Sequence, residues 1–429
     1  MTRPLPTARP TIRRSGDRAV TSAGVLIAAG LLGLAGVSAV RTALGGTIWL
    51  PLHLALAGAA GTAIASVLPF FTTALGKAAP AAAPLRVAAV GLVAGGTLLA
   101  GYGMTAGQPA VAAIGGASYI AGLAATVAAA FLPLRSALGF RIRLVELAYL
   151  VAIAEVALGV ALATAMLAGW APVAEAWGSL KPAHAWLNVF GFVTVVVAAS
   201  LTHLAPTVAG GRIRPRRSAS VALVCLLLGA PLVAVGFAAG WDPVGRAGAI
   251  VELLGGAALA VHGAAVQRDR GRWTSDAGWH RFTGLGLVTA PGWLLVALAI
   301  ASGRVLWLGP VPVAWDLRLL AVPLVAGWVG QVLVASWTHL VPAVGPGDQV
   351  RHAVQRRWLG RASTTRWLAW NAGVALWTVG LPAGADGLSL AGGVTLGAAL
   401  VASIGLLASA VVAGRAGPAM PAVGGAPPA

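Results

Sequence analysis

LTHLAPTVA at 201–209 returns as WTHLVPAVG at 337–345, with Thr202, His203, Leu204 and Pro206 matched 136 positions on by Thr338, His339, Leu340 and Pro342. A second echo runs in step with the first. YGMTAGQPA (102–110), VGFAAGWDP (235–243) and VGLPAGADG (379–387) share one layout, each closing on a glycine-rich turn. A period this long exceeds any solenoid unit, so it predicts a triplicated multi-helix block around a pseudo-threefold axis. The first block lacks the Thr-His pair and reads SVLPFF, so its membership rests on the turn echo and the helix count.

Composition fixes the solvent of these blocks. The 429 residues are 58% hydrophobic and only 9% charged, with a mean hydropathy of +0.87. A soluble globule carries about 25% charged residues, so the chain is expected to be a polytopic membrane protein. Apolar runs of the length that crosses about 30 Å of hydrocarbon fall at 20–40, 49–72, 87–106, 109–132, 144–168, 183–206, 219–239, 245–265, 282–301, 317–341, 366–381 and 388–413. The fold class expected is all-α, with twelve transmembrane helices in three pseudo-symmetric four-helix units, about 19–134, 140–268 and 279–415. Residues 1–18 form a basic tail and 416–429 a Gly/Ala/Pro-rich tail expected to be disordered.

The net charge of +18 is explained by topology rather than by nucleic acid, which is not an expected partner. With the N-terminus cytoplasmic, the inner segments hold 24 of the 29 Lys and Arg. The outer loops hold only Arg41, Lys181, Arg246, Arg304 and Arg318. That bias predicts a multi-pass cell-membrane protein with both ends in the cytoplasm. The largest inner insert, 343–365, contains RHAVQRRWLGR, which reads either as a basic surface helix carrying Trp358 or as a solvated loop. The prolines closing the second helices, Pro69, Pro206 and Pro342, are expected to end them, and no midplane break is visible in those helices.

Few side chains can carry chemistry. His53 and His184 sit at the outer ends of second helices, where an imidazole can bind haem iron or copper or can anchor the helix beside Trp49 or Trp186. His203 and His339, repeat equivalents at the inner ends, are secondary candidates expected in comparable environments rather than at one shared metal. Glu155 and Glu252 lie deepest in the hydrocarbon zone and are proton-relay candidates. Asn188, Gln331 and Asn371 read as interhelical hydrogen-bond partners. The lone Cys225 excludes a disulfide framework, and no Walker loop, dinucleotide fingerprint, nucleophile elbow or HExxH occurs.

Twelve helices in three units, with LKPAHAWLNVFGF followed by ASLTHLAPTVAGGR, resemble the catalytic subunit of haem–copper oxidases. The stretch is similar to the nitric oxide reductase branch and to the HxxxFGF pattern of the NnrS family. It also resembles membrane segments fused to bacterial multicopper oxidases. The resemblance implies haem and/or copper as cofactors, with His53 the counterpart of a low-spin haem ligand and His184 the counterpart of a copper ligand. It implies roles in electron transfer, nitric oxide response or metal handling, with a redox partner or a multicopper oxidase beside the chain. Helix 10 has only His339 and helix 7 no histidine, so the pattern departs from that of a complete oxygen reductase. A cofactor-free assembly subunit and a proton-coupled transporter remain the alternatives.

Overall fold

The computed structural model describes residues 11–43, 47–136, 142–214, 216–270, 278–344 and 349–415. Its long helices are α1 (Thr11–Ala43), α2 (Trp49–Leu75), α3 (Ala83–Thr105), α4 (Pro109–Phe131), α5 (Leu144–Leu167) and α6 (Trp177–Val208). They continue as α7 (Arg217–Ala239), α8 (Asp242–Arg268) and α9 (Trp279–Leu308). Then come α10, which joins Leu317–Ala321, Val322–Gly330 and Gln331–Val344, α11 (Ser363–Gly380) and α12 (Asp386–Arg415). No strand occurs among the described residues. Among the described residues eleven spans are long and apolar enough to cross a bilayer, and large apolar side chains such as Val37, Ile114, Leu158, Val261, Leu390 and Val401 face outward around the bundle. The protein is an all-α, multi-pass integral membrane protein.

The helix that falls outside those eleven is α11, eighteen residues long and carrying Arg366. Its packing nevertheless matches that of two longer helices. The third and fourth helices of each unit form a hairpin that turns on a glycine of positive φ, Gly107 (67°), Gly240 (63°) and Gly384 (62°). A left-handed glycine ends a helix without a Cβ clash. Eleven residues before each turn stand Gly96, Gly229 and Gly373. A Cβ on them would fall 2.7, 2.7 and 2.6 Å from the backbone nitrogens of Tyr119, Glu252 and Leu396. Four residues before each turn, Gly103, Gly236 and Gly380 press in the same way on Ala112, Gly245 and Ser389. The triplication is therefore built at the level of backbone contact, through small residues that let helices touch where lipid supplies no hydrophobic drive.

The second helices, α2, α6 and α10, are the inner ones. Their apolar windows are 78, 83 and 72% buried, against at most 56% for the others. Each contains a π-helical stretch, Leu54–Ala60, Leu187–Thr194 and Val322–Gly330. These stretches meet at the centre, where the Trp328 Nε1–H donates to Thr194 Oγ1 at 3.2 Å. The units close into a ring around them: Gly116 of α4 abuts Thr164 of α5, Gly256 of α8 abuts Leu298 of α9, and Gly36 of α1 abuts Leu400 of α12.

Several expectations change here. The π stretches correct the reading of unbroken second helices; the sequence conceals them because a widened turn keeps the same apolar composition. Pro69, Pro206 and Pro342 lie inside their helices, which run on to Leu75, Val208 and Val344. Close by, Thr72, Thr73 and Thr207 donate to the carbonyls of Leu68, Pro69 and His203, and such hydroxyls help a membrane helix tolerate proline. The basic tail is already helical from Thr11, while 1–10 and the 416–429 tail lie outside the described residues.

The basic insert forms a helix, Gln349–Leu359, with Gln355 and Leu359 buried. Its anchor is Arg366, 4% exposed, which donates to the carbonyls of Leu359 (2.6 Å) and Arg361 (3.1 Å) and lies over the Phe282 ring. Arg366→Met is expected to destabilise the protein by about 2–4 kcal/mol, since it leaves buried carbonyls unpaired. Hydrogen exchange across 349–359 in detergent should quicken by at least tenfold, while that of the hairpins stays unchanged.

Candidate functional site

His53 closes the α-helical start of α2, one residue before its π stretch, and His184 stands three residues before that of α6. Both therefore sit at the same level of two neighbouring inner helices, and they lie within electrostatic reach of each other. The His53 ring stacks on Trp49 at 4.0 Å, and its Nδ1 lies 2.8 Å from the Trp49 carbonyl. Nδ1 of His184 lies 2.7 Å from the carbonyl of Gly159 on α5. A carbonyl only accepts, so each Nδ1 carries the proton and each Nε2 keeps its lone pair. At His184 the Asn188 Nδ2 lies beside both ring nitrogens, 2.9 Å from Nδ1 and 3.1 Å from Nε2. Trp177 closes the outer side at 5.8 Å.

These contacts fix ring orientation through the outer nitrogen bond, the arrangement that orients imidazole ligands in metalloproteins. Among the described residues no three His, Cys, Asp or Glu side chains converge on a point that could hold a metal ion. A bare transition metal commonly takes three or four protein donors, whereas a haem brings four ring nitrogens and asks for one or two axial imidazoles. The described residues offer at this place a pair of imidazoles rather than a three-donor set.

Below the histidines, unit two carries a seam of polar groups in which glycines make the room. A Cβ on Gly159 would fall 2.4 Å from Asn188 Oδ1, and one on Gly229 2.3 Å from Glu252 Oε2. A Cβ on Gly191, inside the π stretch of α6, would overlap Glu155 Oε2. Glu155 and Glu252 lie within electrostatic reach of each other, and none of their four oxygens has a hydrogen-bond partner. The repeat shows what the scaffold itself requires at these places. Of the counterparts of Gly191, Gly58 faces Thr97 and Leu31 and Gly327 faces Trp293, none of them a glutamate. Tyr119 and Leu396 hold the place of Glu252. The carboxylates are specific to unit two.

His203 and His339 occupy the opposite face. Each meets the start of its unit's first helix, but the side chains there differ. His203 lies near Arg143 and Glu146 and touches Thr202 Oγ1 at 2.9 Å. His339 stacks on Trp279 at 5.1 Å, with His280 6.2 Å away. Equivalent backbone positions have acquired unlike environments, which corrects the expectation of comparable ones. Gln331 donates to Thr289 (2.9 Å), and Asn371 accepts from Trp293 (2.8 Å), so both act as interhelical partners. The sequence reading missed Gly159, Gly191 and Gly229; Gly159 stands four positions from Glu155 and Gly191 three from Asn188, while Gly229 has no such local signal, and each faces a polar group on the next helix. Compared with known protein families, the chain matches no family model. It likewise matches no curated protein.

Proposed function

We propose that the protein is a haem-binding membrane protein of the haem–copper-oxidase-like kind, acting in electron transfer or nitric oxide response, with His53 and His184 as the residues that would hold the haem. The observation that carries this reading is the pairing of two imidazoles on adjacent inner helices, each with Nδ1 tied to a carbonyl and Nε2 left as an acceptor. A bound haem would supply a one-electron redox centre; the chain's own residues orient it and exclude water. Asn188, 2.9 and 3.1 Å from the two ring nitrogens, helps hold the His184 ring. Trp49 and Trp177 wall the site. The charge bias supports an orientation with both chain ends cytoplasmic, in which His53 and His184 would lie toward the outer face of the cell membrane. A redox partner or a multicopper oxidase would then exchange electrons from that side.

The test is cofactor content. Protein expressed with haem precursor and copper supplied, then purified in mild detergent, is expected to carry at least half an equivalent of haem by pyridine haemochrome assay and little copper by elemental analysis. Copper at one equivalent without haem would replace the haem reading. The absence of both would overturn it in favour of a cofactor-free subunit.

A further inference from the structure

We propose that Glu155 and Glu252 together form a proton-binding site inside the bundle of unit two. Glu155 is 7% exposed and Glu252 fully buried. Each carboxyl occupies space cleared by a glycine on a neighbouring helix, Gly191 for Glu155 and Gly229 for Glu252. Glu252 lies beside the Ala230 backbone amide without an aligned hydrogen bond. Among the described residues no side-chain donor meets the oxygens of either group. Two carboxylates within reach of each other, out of water and without a counterion, cannot both be ionised at any reasonable cost. The cheapest occupant is a proton, shared by the pair or carried by each member.

Two independent features argue that this is a site rather than a packing accident. The sister units fill the same positions with Leu31 and Tyr119, or Trp293 and Leu396, so the fold does not need acids there. The seam also continues outward, from Glu155 across Gly191 and Asn188 to His184, on two helix faces kept open by Gly159 and Gly191. The other titratable groups around the pair are Cys225 on α7, within electrostatic reach of Glu252, and His184 at the outer end. Two strongly interacting acids titrate in two separated steps that belong to the pair. The site does not depend on haem at His53 and His184.

The experiment is infrared spectroscopy of the cofactor-free protein in liposomes, titrated in H2O and D2O, with Glu155→Gln and Glu252→Gln alongside. A protonated-carboxyl C=O band is expected at neutral pH, shifting in D2O, with loss at high pH in two steps. Each Gln variant should leave a single step displaced toward lower pH by at least tenfold in proton concentration. Wild-type protein lacking the band at neutral pH would overturn the proposal. So would variants whose remaining step is unmoved, or a band abolished by Na+ but not by choline, which would make the occupant a metal cation. Should either variant fail to fold, the two-step loss and deuterium shift of the wild-type band decide alone. Cofactor content measured on the same preparations keeps a failure of the haem reading separate.

Discussion

Gly229→Leu is expected to destabilise the folded protein by about 4 kcal/mol or more, at the far end of what single substitutions do. The side chain would meet atoms that cannot rotate away: its Cβ would fall 2.7 Å from the nitrogen and 2.8 Å from the Cα of Glu252. Relief requires α7 and α8 to separate along their whole length. Ordinary overpacking costs about 1–3 kcal/mol because side chains give way; here backbone faces backbone. Gly96→Leu and Gly373→Leu should behave alike, since their contacts with Tyr119 and Leu396 are equally close. Gly91→Leu is the control, because no atom lies within 4 Å of a Cβ there. Unfolding in mixed micelles by a graded ionic detergent reads all four. Equal and large losses at the three hairpin positions are expected, with little change at Gly91. A harmless Gly373→Leu would deny α11 its place in the triplication.

The second large effect falls at the centre. Trp328 is fully buried in the π stretch of α10, and its Nε1–H reaches Thr194 in the π stretch of α6. Trp328→Ala removes the largest side chain where the inner helices meet and leaves a cavity that apolar neighbours cannot fill, at a cost of about 3–5 kcal/mol. Trp328→Phe keeps most of the packing and loses the hydrogen bond, at about 1 kcal/mol. The same micelle titration should place these variants in that order. An alanine variant within the error of wild type would mean that the inner helices do not depend on this contact.

How far the sequence carried these conclusions depends on which interactions set each feature. Helix positions were legible because hydropathy acts locally, and the turn glycines marked the hairpins because positive φ leaves a residue-type signature. Gly107, Gly240 and Gly384 were already in the echoed blocks. The π stretches left no such trace, since a wider turn changes geometry and not composition. Glu155 and Glu252 were each visible as intramembrane acids, yet they are 97 positions apart and their pairing is a property of tertiary packing. The same holds for His53 and His184. Their common level follows from their places just before the π stretches, and the Gly159 carbonyl that orients His184 belongs to a different helix. The prolines misled because in a membrane bundle packed neighbours replace the hydrogen bond that a soluble helix would lose.

Haem ligation by His53 and His184 is tested most directly by the visible spectrum of the purified protein beside His53→Ala and His184→Ala, each matched for folded protein. The account predicts a Soret band of a six-coordinate, low-spin haem in the wild type. Either alanine variant should convert it to a five-coordinate, high-spin spectrum or lose it. A Soret band unchanged in both variants would contradict the assignment of these residues, and a wild-type protein with no band after haem supply would contradict the function itself.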